Sequence, residues 1–252
     1  MQNSQTLTCS EQKYTYNILH SISADIEVKQ NPFDLPLNSL FKMAARINKK
    51  RSFLFVSKLI GKHLPIDPQN GLLAGEMLAA VYMQTVKGVE IKNREEFRSM
   101  LLSEEPFLTG MRYPANPLII GFAETATALG HAFFDCFPEA NYVHTTREQL
   151  VDKQSAISFE EEHSHATSHR CYLPVDMIAN EREIILVDDE LTTGKTSLNI
   201  IKSIHKIFPR SIYTVVSILD WRSDADRKAF KELETELGIT IRVASLLTGC
   251  FE

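Results

Sequence analysis

The sequence predicts an α/β fold built on a doubly wound, mostly parallel sheet, on three observations. From Leu118 onward, short apolar runs alternate with longer amphipathic stretches, the rhythm of parallel strands joined through helices. One of these runs, Ile184 to Val187, leads into two adjacent carboxylates, a hydroxyl-rich loop with one glycine, and the start of a helix. The chain of 252 residues is 44% hydrophobic and 23% charged, which suits a large core and excludes wholesale disorder.

Residues 1–35 are polar and are expected at the periphery. From Leu37 the sequence becomes core-like. Arg46 to Arg51 (RINKKR) is a basic cluster, and Phe53 to Val56 reads as a short buried strand. Leu72 to Val86 is mostly apolar and reads as a buried helix. Residues 88–116 are charged, then punctuated by proline, and read as a helix plus a surface connection. Leu118 to Gly121 is a strand. Thr125 to Phe137 is helical, with Leu129, Ala132, Phe133 and Cys136 on one side. Asn141 to Thr145 is a strand again. A polar stretch, Arg147 to Arg170, carries Glu160, Glu161, Glu162 and the histidines His163, His165 and His169. After the strand Ile184 to Val187, apolar residues recur at helical spacing from Leu198 to Phe208. Ser211 to Leu219 is β-branched and strand-like. Asp224 to Leu237 is an amphipathic helix, and Ile239 to Leu247 is a last strand.

The bulk chemistry excludes several classes. A net charge of -5 gives no support for a nucleic-acid binder. The four cysteines are scattered without a CxxC pair, so neither a disulfide framework nor a zinc-thiolate site is indicated. The N-terminus has no apolar signal core, and no uncharged apolar run reaches the length of about 18 residues that a membrane span needs. A reducing cytoplasm is the expected location.

The chemistry concentrates in Glu183 to Thr196 (EIILVDDELTTGKT). A helix N-terminus and exposed loop N–H groups make an anion nest. Thr192, Thr193 and Thr196 add hydroxyl donors, and Gly194 lets backbone approach a phosphate. Asp188 and Asp189 would repel that phosphate unless they served another part of the ligand. A sugar phosphate satisfies both, with its hydroxyls on the carboxylates. An ordinary strand-to-helix turn capped by a threonine is the competing reading. A P-loop is disfavoured, because it needs glycine where Asp189 stands.

Ile185 to Thr196 resembles the phosphoribosyl pyrophosphate (PRPP) motif of type I phosphoribosyltransferases: a hydrophobic strand, two acids, then T-T-G-x-T/S. Further strings resemble the orotate-phosphoribosyltransferase-like branch associated with tellurite-resistance gene clusters. They are Val56 to His63 (VSKLIGKH), Gly121 to His131 (GFAETATALGH), His144 to Arg147, Phe159 to Ala166 (FEEEHSHA) and Leu219 to Arg222. The resemblance spans about residues 46–250. It implies a transferase-like domain over 36–252, with a small hood from N- and C-terminal segments, about 36–65 and 220–252.

The resemblance also implies roles. PRPP would be held by Asp188, Asp189, Glu190, Leu191, Thr192, Thr193, Gly194, Lys195 and Thr196, with the two aspartates on the ribose hydroxyls. Ala123, Glu124 and Thr125 match the pyrophosphate loop. Glu124 is a departure there: it would reach the ligand through Mg²⁺, or cap backbone N–H groups. Residues 148–172 fill the slot of a closing loop. Arg147 would contact phosphate, and His163 and His165 would serve the departing pyrophosphate. Lys58, Lys62 and His63 are candidate hood contacts to an acidic base or to pyrophosphate. Trp221 either stacks on a base or belongs to the core.

The implied activity is transfer of ribose 5-phosphate from Mg²⁺–PRPP to a nitrogenous base or base-like acceptor, with release of pyrophosphate. Mg²⁺ would ride on PRPP rather than sit in an all-protein cage. A homodimer is also implied. A non-catalytic PRPP sensor on the same fold, and a metal site at Glu160 to His165, stay open.

Overall fold

The computed structural model describes residues 5–10, 13–19, 21–47, 52–103, 107–161 and 167–252. The chain opens with β1 (Gln5–Ser10), β2 (Lys13–Ile18), β3 (Ile22–Gln30) and a short helix, α1 (Leu37–Leu40). The hairpin β4 (Phe41–Ala45) and β5 (Phe53–Ser57) follows, then α2 (Pro68–Lys87) and α3 (Arg94–Leu102). The middle holds β6 (Leu118–Gly121), α4 (Thr127–Phe134), β7 (Asn141–His144), a hairpin of β8 (Ile157–Glu161) and β9 (Thr167–Cys171), and α5 (Val175–Ile178). The last part alternates β10 (Ile184–Leu191), α6 (Lys195–Ile207), β11 (Ile212–Asp220), α7 (Asp224–Leu237) and β12 (Thr240–Phe251).

The main sheet has the order β1-β2-β3-β12-β11-β10-β6-β7. The strands from β12 to β7 run parallel, and β3, β2 and β1 extend the sheet antiparallel. This is the doubly wound, mostly parallel sheet expected. In β10, Ile184 and Leu186 face a core shared with Ile200 and Ile204 of α6 and Phe230 of α7. Ile185 and Val187 face the opposite core, with Leu73 and Met77 of α2 and Phe133 of α4. Burial on both faces explains why the strand reads as an unbroken apolar run.

Helix α2 starts where the Asp67 carboxylate accepts from Gln69 N–H at 2.9 Å and Pro68 presets the first turn. It ends at Gly88, with φ of 71°. It crosses α4 closely: a Cβ on Gly75 would lie 2.6 Å from Ala132 Cβ. No helix among the described residues is long and apolar enough to cross a membrane.

Three stretches differ from expectation. The N-terminal segment, expected at the periphery, forms strands of the main sheet, and Tyr16, Ile18, Ala24, Ile26 and Val28 are core residues. The polar stretch after Arg147 contains the β8–β9 hairpin, whose Ile157 and Phe159 pack against the α6 side of the sheet. Strand β10 continues past Val187, with Leu191 still paired to Asp220 of β11. Likewise β12 runs on to Phe251, pairing with β3.

Candidate active site

The acidic pair therefore lies within the last pairs of β10, at its carboxyl end, rather than in a loop. Asp189 is buried and joins three segments. Its Oδ1 accepts from the Thr125 hydroxyl at 2.9 Å, and its Oδ2 lies 3.1 Å from Lys62 Nζ. The neighbouring Asp188 accepts from the Asp189 N–H at 2.8 Å. Burial, then the Asp189 charge, push the Asp188 carboxyl well above the usual carboxylate range, against the pull of that N–H and of Lys62. It is a carboxyl short of positive charge.

The loop that follows is Thr192 to Gly194. Leu191, expected as a phosphate-loop residue, is instead 1% exposed and fixed by the ladder. Thr192, Thr193 and Thr196 are half-buried, Lys195 is exposed and Glu190 is half-buried. Gly194 has φ of 70°, and a Cβ there would meet the Phe230 ring at 2.6 Å. Glycine is thus required twice, by conformation and by space. Helix α6 begins here with no side-chain cap from Gly194, and its first N–H, that of Lys195, donates to the Thr193 hydroxyl at 3.4 Å; the positive end of a helix at such a loop favours an anion. The hydroxyl of Ser197, 0% exposed, has no hydrogen-bond partner among the described residues.

A wall stands behind this loop. The Arg222 guanidinium grips Asp220 with two bonds of 2.9 Å and lies 4.2 Å over the Phe230 ring. Arg227 adds a third bond to Asp220 at 3.0 Å. Burial raises the Asp220 pKa, but the Arg222 hydrogen bonds and the two arginine charges outweigh it and hold the carboxyl below its ordinary range. The sequence string Asp220 to Arg222 is legible as a strand end, but nothing in it signals this clamp.

The expected pyrophosphate loop follows β6, next to β10. Phe122 N–H donates to Val187 O at 3.0 Å, and the Ala123–Glu124 peptide bond is cis. Ala123 N–H donates to the Thr145 hydroxyl at 2.8 Å, and that hydroxyl lies 3.4 Å from His169 Nδ1. Thr145 and His169 are fully buried. Their part in shaping the loop went unread in the sequence, because the contact joins β7 to β9 across the fold. Glu124 is exposed and does not cap α4, which has no side-chain cap. Of its two readings, capping is therefore not realised.

Arg147 lies just past β7 with an exposed side chain, and its carbonyl accepts from Arg170 at 3.1 Å. His163 and His165 lie outside the described residues, as does part of the Glu160 to His165 string. Among the described residues, no group of three His, Cys, Asp or Glu side chains is placed to hold a metal ion. Lys58 and His63 line a cavity under the β4–β5 hairpin, beside Lys62. Trp221 does not face a base. It is 3% exposed, stacked on Phe55 with centroids 4.8 Å apart, and flanked by Phe41 and Phe251. Core packing is thus the role it fills.

A family model described as phosphoribosyl transferase matches residues 40–250. Among solved structures, adenine phosphoribosyltransferase from Thermoanaerobacter pseudethanolicus aligns at 13% identity over 84% of this chain and 96% of its own, with a TM-score of 0.52. The adenine phosphoribosyl transferase of Trypanosoma brucei, solved with AMP, pyrophosphate and ribose-5-phosphate, aligns at 11% identity over 96% of this chain and 86% of its own, with a TM-score of 0.51. At these identities the likeness shows a shared fold. No curated protein matches the chain significantly. Because the family match spans the β10–α6 loop, the Ala123 loop and most of the sheet, the chain belongs to the phosphoribosyl transferase family.

Proposed function

We propose that this phosphoribosyltransferase moves ribose 5-phosphate from Mg²⁺–PRPP to a ring nitrogen of a base-like acceptor and releases pyrophosphate. One observation carries the reading. Two helix N-termini without side-chain caps, α4 and α6, follow neighbouring parallel strands, and an acidic pair lies at the end of β10. PRPP has a matching layout, with a phosphate at one end, pyrophosphate at the other and a diol between.

The 5-phosphate takes the Thr192–Thr196 loop and the α6 N-terminus, where the charge favours an anion. Pyrophosphate takes the Ala123–Thr125 loop, aided by Lys62 and Arg147. Asp188 and Asp189 accept from the ribose hydroxyls. As the C1–O bond breaks, its electron pair leaves with pyrophosphate, and the acceptor nitrogen's lone pair forms the new bond to C1. The carboxylates favour the positive charge that builds on the sugar, while basic groups favour the leaving group. The residues fit Mg²⁺ carried by the ligand. Asp188 lacks a cationic neighbour of its own, Glu124 is an exposed carboxylate, and Mg²⁺ binds through one or two carboxylates plus phosphate oxygens. When bound, it neutralises pyrophosphate charge.

His163 and His165 as donors to pyrophosphate, membership of the orotate-like branch with its tellurite association, a homodimer and a cytoplasmic location belong to the same proposal. They rest on the sequence strings alone. The test is calorimetric titration with Mg²⁺–PRPP, with pyrophosphate release followed with and without a panel of bases. Base-dependent release is expected. Binding without release from any base indicates a sensor, and absence of PRPP binding overturns the reading.

A further inference from the structure

We propose that His169 is a positioning residue for pyrophosphate: through the Thr145 hydroxyl it holds the Ala123–Thr125 loop in its ligand-binding shape without touching the ligand. This rests on the transferase reading above and adds a residue to the machinery of that site.

His169 stands where packing alone asks for an apolar side chain. It lies in β9 opposite Phe159 of β8 and is fully buried. Its ring stacks on Phe159, with centroids 5.2 Å apart and planes at 24°. Phe159 in turn lies against Phe122, the residue before the loop, with centroids 6.3 Å apart. A leucine or phenylalanine would fill such a space without the cost of burying a polar ring. What the imidazole faces accounts for it. Its Nδ1 lies 3.4 Å from the Thr145 hydroxyl, which accepts from Ala123 N–H at 2.8 Å.

The backbone around Thr145 is fixed separately. Its N–H donates to Gly121 O at 2.9 Å, and Thr146 exchanges two bonds of 2.8 Å with Arg170. These bonds place Thr145 but leave its side chain free to turn. A threonine hydroxyl has one proton and two lone pairs, so it can serve Ala123 and His169 at once. Whichever atom carries the proton between Thr145 and His169, the contact turns the hydroxyl toward the ring and keeps Oγ within reach of Ala123. Thr145 and His169 are both fully buried, where water does not compete for such a bond.

The hairpin meets the other ligand loop through apolar packing. Ile157 and Phe159 share a core with Ile200 and Ile201 of α6, the helix that follows the Thr192–Thr196 loop. A variant that loosens the whole hairpin should therefore disturb both ligand loops. Loss of the Nδ1 contact should disturb the pyrophosphate side and spare the 5-phosphate side.

The test is calorimetric titration of the full chain with Mg²⁺–PRPP and, separately, with ribose 5-phosphate, which lacks the pyrophosphate. The proteins are the wild type, His169→Phe, His169→Asn and His169→Gln, with folding checked by the thermal midpoint. Phenylalanine keeps the stack on Phe159 and removes Nδ1. Asparagine returns a polar atom near the Nδ1 position, while glutamine places it near Nε2. His169→Phe is expected to bind Mg²⁺–PRPP about five- to tenfold more weakly, the scale of one hydrogen bond, with ribose 5-phosphate affinity changed less than about twofold. His169→Asn should recover most of that loss even though it packs less well and melts lower. The asparagine and glutamine pair decides the matter if the phenylalanine variant does not fold. Adding Thr145→Val to His169→Phe should cost little more than either change alone, because both act through one contact. Unchanged Mg²⁺–PRPP binding by a folded His169→Phe, equal losses for both ligands, or His169→Asn binding no better than His169→Gln each overturn this proposal alone. A wild type that does not bind Mg²⁺–PRPP overturns the transferase reading and this proposal with it.

Discussion

Two aspartates at the ends of neighbouring strands respond to pH in opposite directions. Asp220, clamped by Arg222 and Arg227, is held below its ordinary range. It stabilises the fold above the unfolded value near about 4, and that stabilisation is lost as pH falls through the depressed folded value. Asp188 is raised, by burial and then by Asp189. Its contribution is fully present below about pH 4 and is lost as pH rises through the raised folded value. At neutral pH, Asp188 thus weighs against folding. Asp188→Asn keeps an acceptor for the Asp189 N–H and removes the charge. The variant should melt a few degrees higher than the wild type at pH 8, with the gap closing near about pH 4. A gap that does not change with pH contradicts this account of Asp188.

At the scale of elements, the Ala123 loop is held from behind by Thr145, just past β7, next to His169 of β9. Thr145→Val keeps the shape and leaves the Ala123 N–H unpaired, at a cost of about 1–3 kcal/mol. Turnover of PRPP should fall with little change in circular dichroism; unchanged kcat and KM would remove Thr145 from the loop's support. Thr145 was not singled out in the sequence, since only the tertiary fold brings it to Ala123. Strand β10 was legible because burial on both faces leaves an apolar run, but its end was not. Asp188 to Glu190 look like a loop by composition, while the ladder to β11 continues through them. The N-terminal strands carried a period-two signal, with Tyr16, Ile18, Ala24, Ile26 and Val28 inward and polar residues outward. Their polar outer faces dominated the average composition. Residues of β8 and β9 repeat the pattern over spans too short to stand out.

Across the whole molecule, the β4–β5 hairpin and the main sheet meet at one aromatic cluster. Trp221 from the end of β11 packs against Phe41 and Phe55 of the hairpin and Phe251 of β12. This joint sets the cavity wall relative to the acidic pair. Trp221→Ala should cost about 3–5 kcal/mol, read by chemical denaturation, and weaken any ligand that spans the hairpin and the sheet. As the only tryptophan, it should emit at short wavelength and resist quenching. A red-shifted, quenchable emission contradicts the buried cluster. The motif made the loop between β10 and α6 legible, because its residues are local in sequence. The cavity was only partly legible: Lys58 and His63 stood out by charge, while Lys42 and Tyr16 come from other strands. The most direct measurement for the central claim compares pyrophosphate release from Mg²⁺–PRPP by the wild type and by Asp188→Asn with Asp189→Asn, across bases including orotate. Base-dependent release that falls at least about a hundredfold in a folded double variant is the expected result. Equal release by both proteins would contradict the assignment of the acidic pair to PRPP.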